Sequence, residues 1–85
     1  MAKYYRVTFD TQRNRRYISW EYVLVANSQK EAKEIVKMAW NSEFNPMYKR
    51  DDKPHMFHVE AKRIIYYMKD TDRFHKVDER YANWG

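Results

Sequence analysis

Cysteine is absent from this 85-residue chain, which excludes a disulfide framework, a thiolate metal site and a thiol nucleophile. Glycine occurs once, at Gly85, and proline twice, at Pro46 and Pro54. A single terminal glycine excludes a Gly-rich phosphate loop and the Gly-flanked serine of a nucleophile elbow. No apolar run approaches the roughly 18–20 residues that a membrane span needs. The start, Met1 to Arg6, lacks the apolar stretch of a signal peptide. These absences predict a soluble cytoplasmic protein with no membrane partner. A chain of this length buries only roughly 60–65% of the surface its unfolded form exposes. That leaves one modest core and little room for an enclosed active site, so no cofactor and no small-molecule substrate is expected.

What is present is aromatic and basic. Aromatic residues make up 18% of the chain, and the formal net charge is +5. The charge is uneven. Residues 1–20 hold Lys3, Arg6, Arg13, Arg15 and Arg16 against Asp10 alone, and residues 49–69 hold six basic groups against Asp51, Asp52 and Glu60. Local positive excess points to an anionic partner, either nucleic acid or an acidic protein face. Solubility alone accounts for a charge of this size equally well.

The pattern predicts an α+β fold of order β-β-α-β-β, with an antiparallel sheet of three to four strands and one helix on one face, as a single small domain. Residues 3–9 alternate as a strand, with Tyr5, Val7 and Phe9 on one side and Tyr4, Arg6 and Thr8 on the other. Asp10 to Arg16 is polar and reads as a hairpin loop of roughly five to seven residues, with Asn14 the residue best able to turn left-handed. Tyr17 to Ala26 forms a second strand whose even face (Ile18, Trp20, Tyr22, Leu24, Ala26) is apolar and packs on the helix. Ser28 caps that helix and Glu31 completes a capping box. Ala32, Ile35, Val36, Ala39 and Trp40 then repeat with the spacing of one buried stripe. The helix ends near residues 40–42, ahead of Asn45-Pro46.

Residues 43–55 read as a long loop, or a short edge strand around 47–50. A third strand runs from about Met56 to Met68 and bends near Lys62–Arg63. Its Phe57, Val59 and Ala61 share one face. A turn at 69–72 leads to a short fourth strand, Arg73 to Val77, that closes a hairpin with the third. Residues 78–85 carry no pattern and read as a frayed tail unless Tyr81 or Trp84 docks.

Four groupings bear on function. The first is a basic and aromatic surface: Arg13, Arg15 and Arg16 at the hairpin tip, with Tyr4, Arg6, Tyr17, Lys62 and Tyr66 on the sheet face away from the helix. Cations neutralise phosphates, and exposed aromatics stack on bases or anchor in protein pockets. The plain alternative is that the tyrosines are cross-strand partners and the arginines solvate a loop. The second grouping is Glu60-Ala61-Lys62 with Asp51 and Asp52 upstream. It is similar to the site of PD-(D/E)xK nucleases, in which carboxylates hold Mg²⁺ and the lysine assists water. A solvated charge pair explains the same residues and is the preferred reading. The third is His55-x-x-His58, whose side chains diverge on a strand, so no metal site is expected. The fourth is the helix start, where Lys30 and Lys33 resemble the phosphate-binding helix of double-stranded RNA-binding domains. Glu31 opposes that role, and a capped amphipathic helix is the preferred reading.

The whole layout resembles a loose group of very small phage-encoded proteins, several anti-CRISPR proteins among them. The pieces that carry the likeness are Tyr4-Tyr5-Arg6-Val7, Val25-Ala26-Asn27-Ser28, Glu31-Ala32-Lys33 and the hairpin-like run from Tyr67 to Phe74. The resemblance assigns no functional residue. It implies a non-enzymatic inhibitor in the host-cell cytoplasm that occupies a protein complex handling nucleic acid. Direct binding of DNA or RNA by the same surface is the alternative, and a Mg-dependent nuclease at Glu60 and Lys62 a remote one.

Overall fold

Alternation along the first 26 residues builds a ribbon that is longer and tighter than its polar middle indicates. The computed structural model describes residues 3–44, 55–65 and 71–81. In it, β1 (Lys3–Arg13) pairs antiparallel with β2 (Arg16–Ala26) along its whole length, from Lys3↔Ala26 to Arg13↔Arg16. The expected loop of five to seven residues is therefore a turn of only Asn14 and Arg15. Asn14 supplies the left-handed backbone (φ 57°) that so short a turn requires. The polar residues on either side of it satisfy one another across the ladder. Ser19 donates to Asp10 at 2.7 Å, and the Trp20 indole donates to Thr11 at 3.0 Å.

The step into α1 (Gln29–Phe44) is a capping box with one shift. The Glu31 amide donates to Ser28 Oγ, while the Glu31 carboxylate accepts from the amide of Asn27, one residue earlier than the standard box. The predicted stripe faces the sheet. Ala32, Val36 and Trp40 are buried, and Ile35 and Ala39 pack beside them. Opposite lie Tyr5, Val7, Phe9, Tyr22, Leu24 and Ala26, all buried. Trp40 sits at the centre of an aromatic knot, with ring centroids 5.4 Å from Phe9, 5.5 Å from Trp20 and 5.4 Å from Phe74, all edge-on.

The last two strands correct the expected connectivity. β3 (Met56–Ile64) pairs with β1, and β4 (Phe74–Tyr81) pairs with β2, giving the order β3-β1-β2-β4 with all neighbours antiparallel. They flank the first hairpin instead of forming a second one. Each satisfies one open edge of the ribbon, and from its place beside β2 Phe74 reaches Tyr22, Phe9 and Trp40. The class is thus α+β, four strands with the helix across one face.

Two bulges account for the misread strands. In β3 the register shifts between Thr8 and Asp10, and His58 takes φ 52°, a left-handed value that histidine tolerates better than most side chains. Met56, Val59 and Ala61 therefore pack on the core, while Phe57 stands opposite Asp10 on the other face. Pairing is regular from Glu60 to Ile64, so the bend expected at Lys62–Arg63 is displaced to His58. In β4 the register shifts between Ser19 and Trp20, leaving Val77 as the extra residue. That slip hides the alternation, and the strand continues to Tyr81, four residues beyond the expected end at Val77. The expected loop or edge strand at 47–50 lies outside the described residues. No helix among the described residues is long and apolar enough to cross a membrane.

A candidate binding surface at the hairpin end

Cross-strand register distributes the predicted surface over two sides of the sheet. Tyr4, Arg6, Tyr17 and Lys62 lie on the face away from the helix, and Tyr66 lies outside the described residues. The four do not form one patch. Arg6 neighbours Lys62, but Tyr4 pairs with Val25 and Tyr17 with Gln12. At about 3.4 Å per residue, the eight positions between Tyr17 and Val25 separate the two tyrosines by roughly 27 Å along the ribbon.

That open face is mixed in charge. Arg6 Nε forms a close ion pair with Glu21 Oε1, an oxygen shielded from solvent whose contact with the guanidinium is ionic, without hydrogen-bond alignment. Asp10 accepts from Ser19 and lies 3.2 Å from His58 Nδ1. A shallow groove of about 340 Å³ runs between these groups, with Glu60 on its edge. Val23, on the same face, is only 2% exposed, so this side of the sheet is not bare.

The other groupings remain dispersed. Glu60 and Lys62 share the open face and are both exposed; Asp51 and Asp52 lie outside the described residues. Among the described residues, no three His, Asp or Glu side chains are placed to hold a metal ion. His58 is on β3 and His75 on β4, with β1 and β2 between them. At the helix start, Lys30 is exposed and Lys33 half-buried, while Ser28 and Glu31 are engaged in the cap.

The arginines of the tip converge on the opposite side. Arg13 and Arg16 are cross-strand partners in register with the core-facing positions Thr11 and Ile18, yet both are exposed, so the helix does not cover them. Together with Arg15 in the turn they border a groove of about 550 Å³ whose other walls are Thr11, Asn14, Ile18 and Tyr81. Tyr81 is 70% exposed and pairs with Arg16 across the β2–β4 ladder.

One carboxylate lies within this basic end. Glu79 is bound closely by Arg16 Nε at Oε1, by Lys76 Nζ at 2.8 Å, and by the Tyr81 hydroxyl, which donates at 3.3 Å. The hydrogen bond from Arg16, and then that from Lys76, holds its carboxyl down at about 2, well below the ordinary carboxylate range. The groove is lined by Arg13, Arg15 and Arg16 and by no acid; Glu79 and Lys76 lie on the same side of the sheet, whereas Asp78 and Arg80 lie on the open face.

Sequence reasoning found the three arginines but missed Ile18, Glu79 and Tyr81 as their neighbours. Ile18 was expected under the helix. Tyr81 and Glu79 stand 63 or more residues from the tip in sequence, and the slip at Val77 hid the strand that carries them. The chain matches no protein-family model, no curated protein and no solved structure.

Proposed function

We propose that this chain is a non-enzymatic binding protein, an inhibitor of the anti-CRISPR kind, that seats its basic hairpin end on an acidic surface of a protein complex handling nucleic acid. One observation carries the reading. Three arginines are held at the end of a fully paired ribbon, beside a groove with an exposed tyrosine and an isoleucine. Arginine and tyrosine are the side chains that most often anchor protein interfaces. A two-residue turn also fixes the backbone that carries the arginines before binding, so only their side chains remain to be ordered on association. Action in the cytoplasm of a host cell belongs to the same proposal.

The test is capture of partners from a bacterial host lysate, with and without nuclease treatment, by the protein and by its Arg13→Glu/Arg15→Glu/Arg16→Glu variant. A protein partner that survives nuclease and is lost with the variant supports the reading. Capture unchanged by the charge reversal overturns it.

The exposed Tyr81 ring, which shares its groove with Arg13, Arg15 and Arg16, supports a second reading, direct binding of DNA or RNA, because such a ring can stack on an unpaired base. A phosphate-dominated complex weakens steeply and linearly in log salt, whereas a packed aromatic interface weakens less. The nuclease reading at Glu60 and Lys62 predicts Mg-dependent DNA cleavage, and absence of cleavage by the intact protein rejects it.

A further inference from the structure

We infer that Glu79 is an internal stand-in for the partner's acid: in the free protein it fills the cationic seat made by Arg16, Lys76 and Tyr81, and a carboxylate-bearing segment of the partner displaces it. This rests on the proposed docking of the hairpin end and names the chemistry that docks there. The seat is already demonstrated by its internal occupant. A guanidinium, an ammonium and a phenol hydroxyl converge on a single carboxylate from β2 and β4. Three donors of that kind recognise an Asp or Glu side chain wherever it comes from.

The occupant is exchangeable. Arg16 and Lys76 are each about half exposed, and ion pairs at such positions contribute little net stability, so trading one carboxylate for another costs little. Glu79 also sits on an edge strand, two residues before its end at Tyr81. Its low pKa means that it leaves by displacement and not by protonation at neutral pH.

The charge distribution favours an acidic protein segment over a nucleic acid. The groove is lined by three arginines and no acid, whereas the open face behind it mixes Asp10, Glu21, Glu60 and Asp78 with Arg6, Lys62 and Arg80. An extended phosphate backbone leaving the tip would meet those acids, whereas a local cluster of carboxylates would not. Ile18 and the Tyr81 ring add apolar surface to the groove, which suits an aromatic or aliphatic residue next to the acid.

The test uses the intact protein, a fluorescent peptide of alternating Glu and Tyr, and a short mixed-sequence single-stranded DNA. Removing the internal competitor in Glu79→Gln should tighten peptide binding about three- to tenfold, the equivalent of one surface ion pair. Carbon-detected NMR of the unaltered protein gives a second readout that needs no variant to fold. On saturation with peptide, the Glu79 carboxyl should titrate higher, toward the ordinary carboxylate range, as Arg16 and Lys76 let it go. Unchanged or weaker peptide binding by Glu79→Gln, or a Glu79 carboxyl unmoved in the complex, overturns the inference. So does single-stranded DNA that binds more tightly than the peptide. If the triple arginine reversal still abolishes capture of the natural partner while Glu79 proves inert, this inference fails and the docking reading stands. If the reversal has no effect on capture, the docking reading itself has failed.

Discussion

The two ends of the N-terminal hairpin share one ladder and one face, yet only one of them is core. Toward its base, Tyr5–Leu24, Val7–Tyr22 and Phe9–Trp20 lie beneath α1 and pack in the hydrophobic core. Toward its tip, Thr11–Ile18 is still partly covered, and Arg13–Arg16 continues on the same side exposed. The boundary is the bond from Trp20 to Thr11, where a buried hydroxyl takes the last indole proton of the core. The comparison teaches that strand pairing and burial are separable. The ladder extends the backbone beyond the hydrophobic core and places charged side chains there in fixed register. Stability therefore belongs to the base, and recognition is free to concentrate at the tip.

The largest expected effect is at the base. Trp40→Ala removes the ring that joins Phe9, Trp20 and Phe74, and should cost about 3–5 kcal/mol in urea unfolding. A loss under about 1 kcal/mol would mean that the aromatic knot is not the centre of the core. At the tip, Asn14→Ala should cost about 1–2 kcal/mol, because the left-handed backbone penalises a Cβ without the local hydrogen bonding of Asn; Asn14→Gly should be near neutral. Equal losses in the two variants would mean that the Asn14 side chain, not its backbone, holds the turn. At the boundary, Thr11→Val leaves the Trp20 indole without its acceptor and should cost about 1–3 kcal/mol with a shift in tryptophan emission.

The smallest effect concerns acid. The folded pKa of Glu79, about 2, lies below its ordinary 4.5. A lowered carboxyl contributes stability that is fully present above the ordinary value and is lost as pH falls from there through the folded value. Thermal melts between pH 5 and about 2 should accordingly show a shallower decline in Glu79→Gln than in the unaltered protein. Parallel declines would contradict the assigned pairing with Arg16 and Lys76.

Much of this fold was legible because its signals are local. Ser28 and Glu31 announce the helix, its stripe repeats without interruption to Trp40, and the even face of residues 18–26 is apolar throughout. What was hidden is non-local or slipped by one residue. At His58 and Val77 an extra residue exchanges the faces of a strand, so alternation read straight through assigns Phe57 to the core and stops β4 too early. The placement of β3 and β4 on opposite edges depends on Phe74 meeting Phe9 and Trp40, contacts that no window of sequence contains. For the candidate site, Arg13, Arg15 and Arg16 were conspicuous as a cluster, but their side of the sheet depends on turn length. Reading five to seven loop residues instead of two left it undetermined, and Arg6, whose partner Glu21 lies across the ladder, looked more available than it is.

The central claim, that recognition resides at the uncovered tip while stability resides at the covered base, is tested most directly by one paired measurement on Arg13→Glu/Arg15→Glu/Arg16→Glu. Affinity for the captured partner is compared with that of the unaltered protein, alongside thermal unfolding of both. The account predicts that affinity falls at least about a hundredfold, as expected for loss of an interface anchor worth several kcal/mol, while unfolding moves by no more than about 1 kcal/mol. Retained affinity with unchanged unfolding would contradict it, and would move the binding surface away from the hairpin end.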